Sequence, residues 1–190
     1  MSEIKEARLQ KANSLVSKGF ASYAQSFRVS NTTKFLIQKF DYLENGQEED
    51  FSVSIAGRVL AKRVMGKIAF FTISDQEGQI QLYLDKRIIN FNLEKQKLLS
   101  FEDLKEIVDI GDWIGVYGTI KKTNKGELSI KVEKWEMLSK SLQPLPDKWH
   151  GLTDIEKRYR QRYLDLIVNP HSKNVFKTRA KCISFIRKWL

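Results

Sequence analysis

Ile68-Ala69-Phe70-Phe71-Thr72-Ile73-Ser74, then Asp75-Gln76-Glu77-Gly78, then Gln79-Ile80-Gln81-Leu82-Tyr83-Leu84-Asp85 is the stretch on which the fold turns. Two runs of period two are separated by a polar turn ending in glycine, which is the pattern of a β-hairpin. In the second run Ile80, Leu82 and Leu84 point one way and Gln79, Gln81 and Tyr83 the other. In the first, Ala69, Phe71 and Ile73 make the more apolar set, so Ile68, Phe70 and Thr72 face away from them. Successive side chains of a strand alternate between faces and cross-strand neighbours share one. Phe70 and Gln81 are therefore expected on a common outer face.

Upstream, Met65-Gly66-Lys67 reads as a turn, and Phe51 to Arg63 as a long first strand with Gly57 inside it, where a bulge or sharp coil is expected. Downstream, the spacing turns helical between Phe91 and Val108, with Ser100 as N-cap for Leu104, Ile107 and Val108. Asp112 to Lys121 and Glu127 to Met137 are two more strands, hinged at Thr123-Asn124-Lys125-Gly126. Three strands, a helix and two strands is the order of an OB-fold barrel. The expected class is mainly β with flanking helices (α+β): a five-stranded OB-fold barrel over 51–138, with N-terminal helices and C-terminal linker helices.

The flanks follow from helical spacing. In the N-terminal segment, 1–50, Ile4, Ala7, Leu9, Ala12, Leu15 and Val16 predict a helix over 2–18 closed by Gly19. A second is expected from Asn31 or Thr32, burying Phe35, Leu36, Phe40 and Leu43; the acidic run Glu48-Glu49-Asp50 reads as a solvated separator. Residues 139–170 read as a linker or hinge. Pro144 and Pro146 stiffen it, and Thr153 with Glu156 fits a capping box for a helix to Val168, stopped at Asn169-Pro170. In 171–190, Ser172 is the expected cap of a last helix bearing Phe176, Ala180, Ile183, Ile186 and Leu190. A chain finishing on Trp189-Leu190 in mid-helix reads as cut from something longer.

The 190 residues are 42% hydrophobic, 11% aromatic and 29% charged, which excludes a disordered chain. No window supplies the roughly 20 consecutive apolar residues of a membrane span, and the polar opening offers no secretory h-region, so a cytoplasmic protein without a membrane partner is expected. One cysteine, Cys182, excludes an internal disulfide or a multi-thiolate metal site. The formal charge is +10, but Glu156 to Leu190 holds ten Lys or Arg against two acids, so most of it lies at the C-terminal end. A nucleic-acid argument for the barrel must rest on particular residues.

No catalytic constellation is readable and no metal site. His150 and His171 stand alone; Gly111, Gly115 and Gly118 lack dinucleotide-loop spacing, and Gly66-Lys67 lacks the rest of a phosphate loop. Met137-Leu138-Ser139-Lys140-Ser141 echoes the lysine loop of class I synthetases without its partner motif. The hairpin is more informative. An OB fold binds single strands on the face of strands two and three, stacking bases on aromatics, and Phe70 and Gln81 have that type and position. Arg63, Lys67, Lys86 and Arg87 lie at the ends of these strands, where phosphates would pass. An outward Phe is more often a second core layer than a stacking platform, and a strand Gln usually meets water; the pattern leaves both readings open. Leu128, Ile130 and Val132 turn inward, so Glu127 projects outward. Parity puts Arg63 on the core side with Val59 and Ala61, so only a bulge or strand end would free it.

Ala56-Gly57-Arg58 through Arg63-Val64-Met65-Gly66-Lys67, with Phe70 and Gly78-Gln79-Ile80-Gln81-Leu82-Tyr83, resembles the anticodon-binding domain of the bacterial lysyl-tRNA synthetases, class IIb enzymes. Gly126-Glu127-Leu128-Ser129 closes the barrel as in that family. Pro144-Leu145-Pro146-Asp147-Lys148, His150-Gly151-Leu152 and Tyr159-Arg160-Gln161-Arg162-Tyr163-Leu164-Asp165-Leu166 extend the likeness over residues 2–190. The resemblance implies that Phe70 stacks on the middle uridine of the lysine anticodon, Gln81 bonds its edge, and Arg63 and Glu127 make further anticodon contacts. It implies tRNA-Lys as partner, through its anticodon stem-loop. Val175 to Leu190 is similar to the start of class II motif 1, a dimer-interface helix here carrying Phe176, Ile183 and Ile186, so the full-length enzyme is expected to be a homodimer. The family activates lysine with ATP and Mg2+ and transfers it to tRNA. The motifs that bind these are absent from the 190 residues, so this chain alone is expected to bind no cofactor and to be inactive. The alternative reading is a stand-alone OB-fold module binding single-stranded nucleic acid; a third is an adaptor pairing through the terminal helix.

Overall fold

The computed structural model describes residues 3–93, 98–146 and 152–190. They form two compact units, one ending at Gln143 and the other beginning at Pro144. In the first, α1 (Glu3–Ser17) and α2 (Thr33–Lys39) precede β1 (Glu48–Met65), β2 (Ile68–Ser74) and β3 (Gln79–Asp85); α3 (Lys86–Leu93) and α4 (Phe101–Ile107) lead to β4 (Trp113–Lys122) and β5 (Leu128–Ser139). The strands close into a barrel in the order β1-β2-β3-β5-β4, antiparallel except for the β3–β5 pair. This is the expected OB-fold barrel.

Alternation decides what fills it. Ala69, Phe71 and Ile73 of β2 and Ile80, Leu82 and Leu84 of β3 are buried, as their period predicts. With Ile55, Val59, Val116, Ile130, Val132 and Trp135 they form one core. Trp135 keeps its indole N–H satisfied on the Ser100 carbonyl, 3.1 Å away. At Gly118 the strands approach so closely that a Cβ would lie 2.0 Å from the Lys131 carbonyl oxygen. Asp75 anchors the β2–β3 turn, accepting from Glu77 and Gly78 backbone N–H and from Thr33 of α2. Burial pushes the Asp75 carboxyl up, but these bonds outweigh it and hold it below its ordinary value.

Several local expectations change. The helical stretch expected over 91–108 is two helices, the first beginning earlier, at Lys86; Ser100 does cap the second, in a capping box with Asp103. α2 buries Leu36 with Phe40 and Leu43 beyond it, but leaves Phe35 exposed, because a helix of two turns has a single inward stripe and adjacent residues cannot both lie on it. Gly57 carries no bulge. Its register is continuous and a Cβ there would sit 3.0 Å from the Ser74 carbonyl, so it permits close strand approach; the register of β1 slips later, between Val59 and Ala61. The acidic run is no separator either, since β1 already starts at Glu48, opposite Lys121.

Lys140 is the buried polar keystone of this unit. Its Nζ donates to the Ile107 carbonyl at 2.7 Å, Asp109 at 2.6 Å and Asp112 at 2.7 Å. Asp112 also accepts from Asp109 and Ser141 backbone N–H, and Lys11 ties α1 to Asp109. The segment that echoed a class I loop is thus a structural clasp. Removing one partner of a buried pair leaves a charge unpaired at a cost of about 3–5 kcal/mol. Lys140→Met is therefore expected to lower unfolding free energy by about 3 kcal/mol or more in urea titration, a loss matched by Asp112→Ala.

In the second unit α5 (Ile155–Arg160), α6 (Arg162–Val168) and α7 (Pro170–Trp189) surround Asp165. The helix expected to run from Thr153 to Val168 is capped instead by Asp154 and breaks at Gln161, whose φ and ψ of −117° and 53° are not helical. Ser172 is no cap: it lies inside α7, buried, and bonds Arg158 and Asp165. Asp165 also accepts from Asn169 at 2.6 Å, Arg158 at 2.8 Å and Arg162. Asn169 first, then the two arginines and Ser172, hold its carboxyl far below the usual carboxylate range. A depressed carboxylate contributes stability above its unfolded value and loses it as pH falls through the folded one. The clasp is thus expected to outlast ordinary carboxylates in acid. Asp165→Ala is expected to strip amide protection from α5–α7 in hydrogen exchange while leaving the barrel protected; unchanged protection would show the clasp idle.

Candidate nucleic-acid interface

The outer face of β2 and β3 carries the residues that alternation turned away from the core. Phe70 pairs with Tyr83, and their rings meet edge to face, with centroids 5.6 Å apart at 67°. Thr72 pairs with Gln81 one step along. Phe70 and Gln81 are diagonal neighbours on this face, and both are partly accessible. The Ser129 hydroxyl, buried beside it on β5, donates to Gln81 Oε1 at 2.8 Å and fixes the amide.

Arg63 arrives by the route alternation required. The slip at Leu60 lets Val59 pair with Ile73 on the inner side but Ala61 with Thr72 on the outer, so parity inverts. Arg63 then stands exposed, opposite Phe70. The same inversion sends Lys62 inward, where it donates to the Lys105 and Val108 carbonyls at the end of α4. Burial lowers the Lys62 ammonium from its ordinary value. Glu127 is exposed at the β4–β5 turn, where Thr123 accepts the Glu127 N–H and Gly126 takes φ +86°. Lys67, in the β1–β2 turn, and Arg87, at the start of α3, are exposed, whereas Lys86 is ion-paired to Glu102. The turns that flank the binding face of an OB fold are thus in place at both ends of the row.

Sequence reading missed how far the row extends. Tyr83 pairs with Lys131 of β5, and Gln81 with Ser129, itself opposite Lys121 of β4. Lys121 Nζ lies over the Tyr83 ring, 5.1 Å from its centroid. Glu48 bridges the two lysines, 2.5 Å from Lys121 and 2.6 Å from Lys131. Hydrogen bonds from Lys121 and then Lys131 hold the Glu48 carboxyl below its ordinary value. The alternation that placed Glu127 outward also places Lys131 outward. Glu48 needed the β1–β4 register, which no local pattern contains.

In the second unit Phe176, Ile183 and Ile186 are exposed along α7, the first with the Arg162 guanidinium 5.4 Å from its ring. Among the described residues no helix is long and apolar enough to cross a membrane, and no group of three or more His, Cys, Asp or Glu could hold a metal.

Residues 53–138 match the OB-fold nucleic acid binding domain family. All 190 residues align with the lysine–tRNA ligase of Prochlorococcus marinus strain MIT 9215 at 95% identity and with that of strain MIT 9515 at 80%, spanning 37% of each. The lysine–tRNA ligase of Synechococcus sp. strain RCC307 is 53% identical over the same 190 residues, 36% of its length. A chain with an OB-fold barrel at its centre and this identity through both flanks is similar from end to end to the N-terminal part of lysine–tRNA ligases, and spans little more than a third of the length of the curated relatives it matches.

Proposed function

We propose that this chain is the tRNA-reading part of a lysine–tRNA ligase, and that its barrel receives the U-rich anticodon of tRNA-Lys. The observation that carries the reading is the company Phe70 keeps: an outward ring with Gln81 on its diagonal and Arg63 brought opposite by the slip in β1. A base stacks on Phe70, Gln81 meets its edge, Arg63 and Glu127 make further anticodon contacts, and Lys67 and Arg87 lie where phosphates pass. Lys86 would first have to leave Glu102.

The choice of base follows from Ser129. With Oε1 engaged by that hydroxyl, Gln81 is left to donate through Nε2. A donor suits the O4 carbonyl of uracil and opposes the exocyclic amine of cytosine. Single-stranded RNA is read by such stacking and edge contacts, because splayed bases expose both face and edge.

The rest of the reaction belongs to the remaining length of the ligase. Lysine activation with ATP and Mg2+ needs a donor set that the described residues do not bring together, so no step is assigned to them. Phe176, Ile183 and Ile186 on α7 fit a surface buried in a homodimer of the whole enzyme, working in the cytoplasm.

One base–aromatic stack is worth about 1–3 kcal/mol, so Phe70→Ala is expected to weaken binding of a lysine anticodon hairpin roughly tenfold or more in a fluorescence titration. Unchanged affinity would remove Phe70 from the interface and with it this reading.

A further inference from the structure

Two lysines sit on the outer face next to the Phe70–Tyr83 pair. Lys131 is the register partner of Tyr83, and Lys121 continues the row that runs from Thr72 through Gln81 and Ser129. Their ammonium groups converge on one carboxylate, that of Glu48, from two different strands. The lysine side chains are 22% and 28% accessible and that of Glu48 is 40% accessible, in contrast to the Lys140–Asp112 pair, where both are fully sealed.

That contrast separates a clasp from a site. A sealed pair holds structure, and breaking it strands a charge. A half-exposed carboxylate accepting two charge-assisted bonds can be exchanged for another anion, with water covering Glu48 as it leaves. The phosphate of a nucleic acid offers the same acceptor oxygens. The lysines also lie beside an aromatic pair and beside an amide, on the strand face where an OB fold holds a single strand.

We infer that Lys121 and Lys131 form a phosphate subsite beside Phe70 and Gln81, filled in the free protein by the Glu48 carboxylate, which a backbone phosphate of single-stranded RNA displaces. The inference deepens the anticodon reading and rests on it for the identity of the RNA. The trio presents one net positive charge instead of two, so a random polyanion gains little there. A strand that also stacks a base on Phe70 is held in place to complete the exchange. Glu48 is thus a selectivity device in the barrel wall.

The test uses the whole 190-residue chain and anisotropy titrations over a range of salt, with a lysine anticodon hairpin and a hairpin of the same stem and a scrambled loop. Glu48→Gln should tighten both complexes several-fold, narrow the ratio between them, and steepen the salt dependence of the scrambled hairpin by about 0.7, the increment of one single-strand phosphate contact that the lysine hairpin already makes. Lys121→Gln with Lys131→Gln should flatten that of the lysine hairpin. Unchanged affinity and slope in folded Glu48→Gln, or an unchanged slope in the lysine double variant, overturns the subsite, as does failure to bind either hairpin. Phe70→Ala separates the two readings: if it binds the lysine hairpin as before while Glu48→Gln still steepens the slope, the anticodon reading falls and the phosphate subsite stands.

Discussion

Closure of the barrel is the constraint from which the rest follows. β1 must pair with β2 through one half and with β4 through the other, while β3 and β5 meet in parallel. Five strands joined in a ring leave no free edge, and each register is then fixed by its neighbours. The consequence on the inside is a core of alternating apolar side chains. On the outside, residues distant in the chain fall into continuous rows: Arg63, Phe70, Tyr83 and Lys131 in one, and Thr72, Gln81, Ser129, Lys121 and Glu48 in the next.

Alternation was therefore enough to read part of this face directly from the chain. The bounds of β2 and β3, their inward and outward sets, and the shared face of Phe70 and Gln81 are local properties of two short strands joined by a tight turn. Arg63 shows where local reading ends. Its parity depends on one residue of slip in β1, which is set by how that strand divides itself between two partners. Gly57 looked like the natural place for the irregularity, yet close approach to β2 is what it supplies. Glu48 failed for the same reason: a carboxylate in an acidic run reads as solvent-facing until the opposite strand is known.

The misread helix ends have a different origin. Thr153, Asp154 and Ser172 are all competent caps, and propensity does not choose among neighbours of similar strength. The choice was made by Asp165. Two arginines, Asn169 and Ser172 gather around its carboxylate, which requires the chain to break at Gln161 and Ser172 to sit inside α7. A buried ion network overrides a few tenths of a kcal/mol of local preference with ease.

The distribution of charge bears on how the barrel can discriminate. With most of the net charge of +10 carried from Glu156 onward, the interface proposed on the barrel has no strong field with which to gather RNA. Attraction of that kind rewards every polyanion alike, because phosphates carry no sequence information. A wall that instead offers one ring, one oriented amide and a pair of lysines already bound to a carboxylate gives little to a strand that presents phosphate alone. On the proposed reading, only a strand that satisfies stacking, edge and charge together recovers what the protein gives up in separating Glu48 from its lysines. Weak electrostatics in the free barrel is on this view a condition of its selectivity.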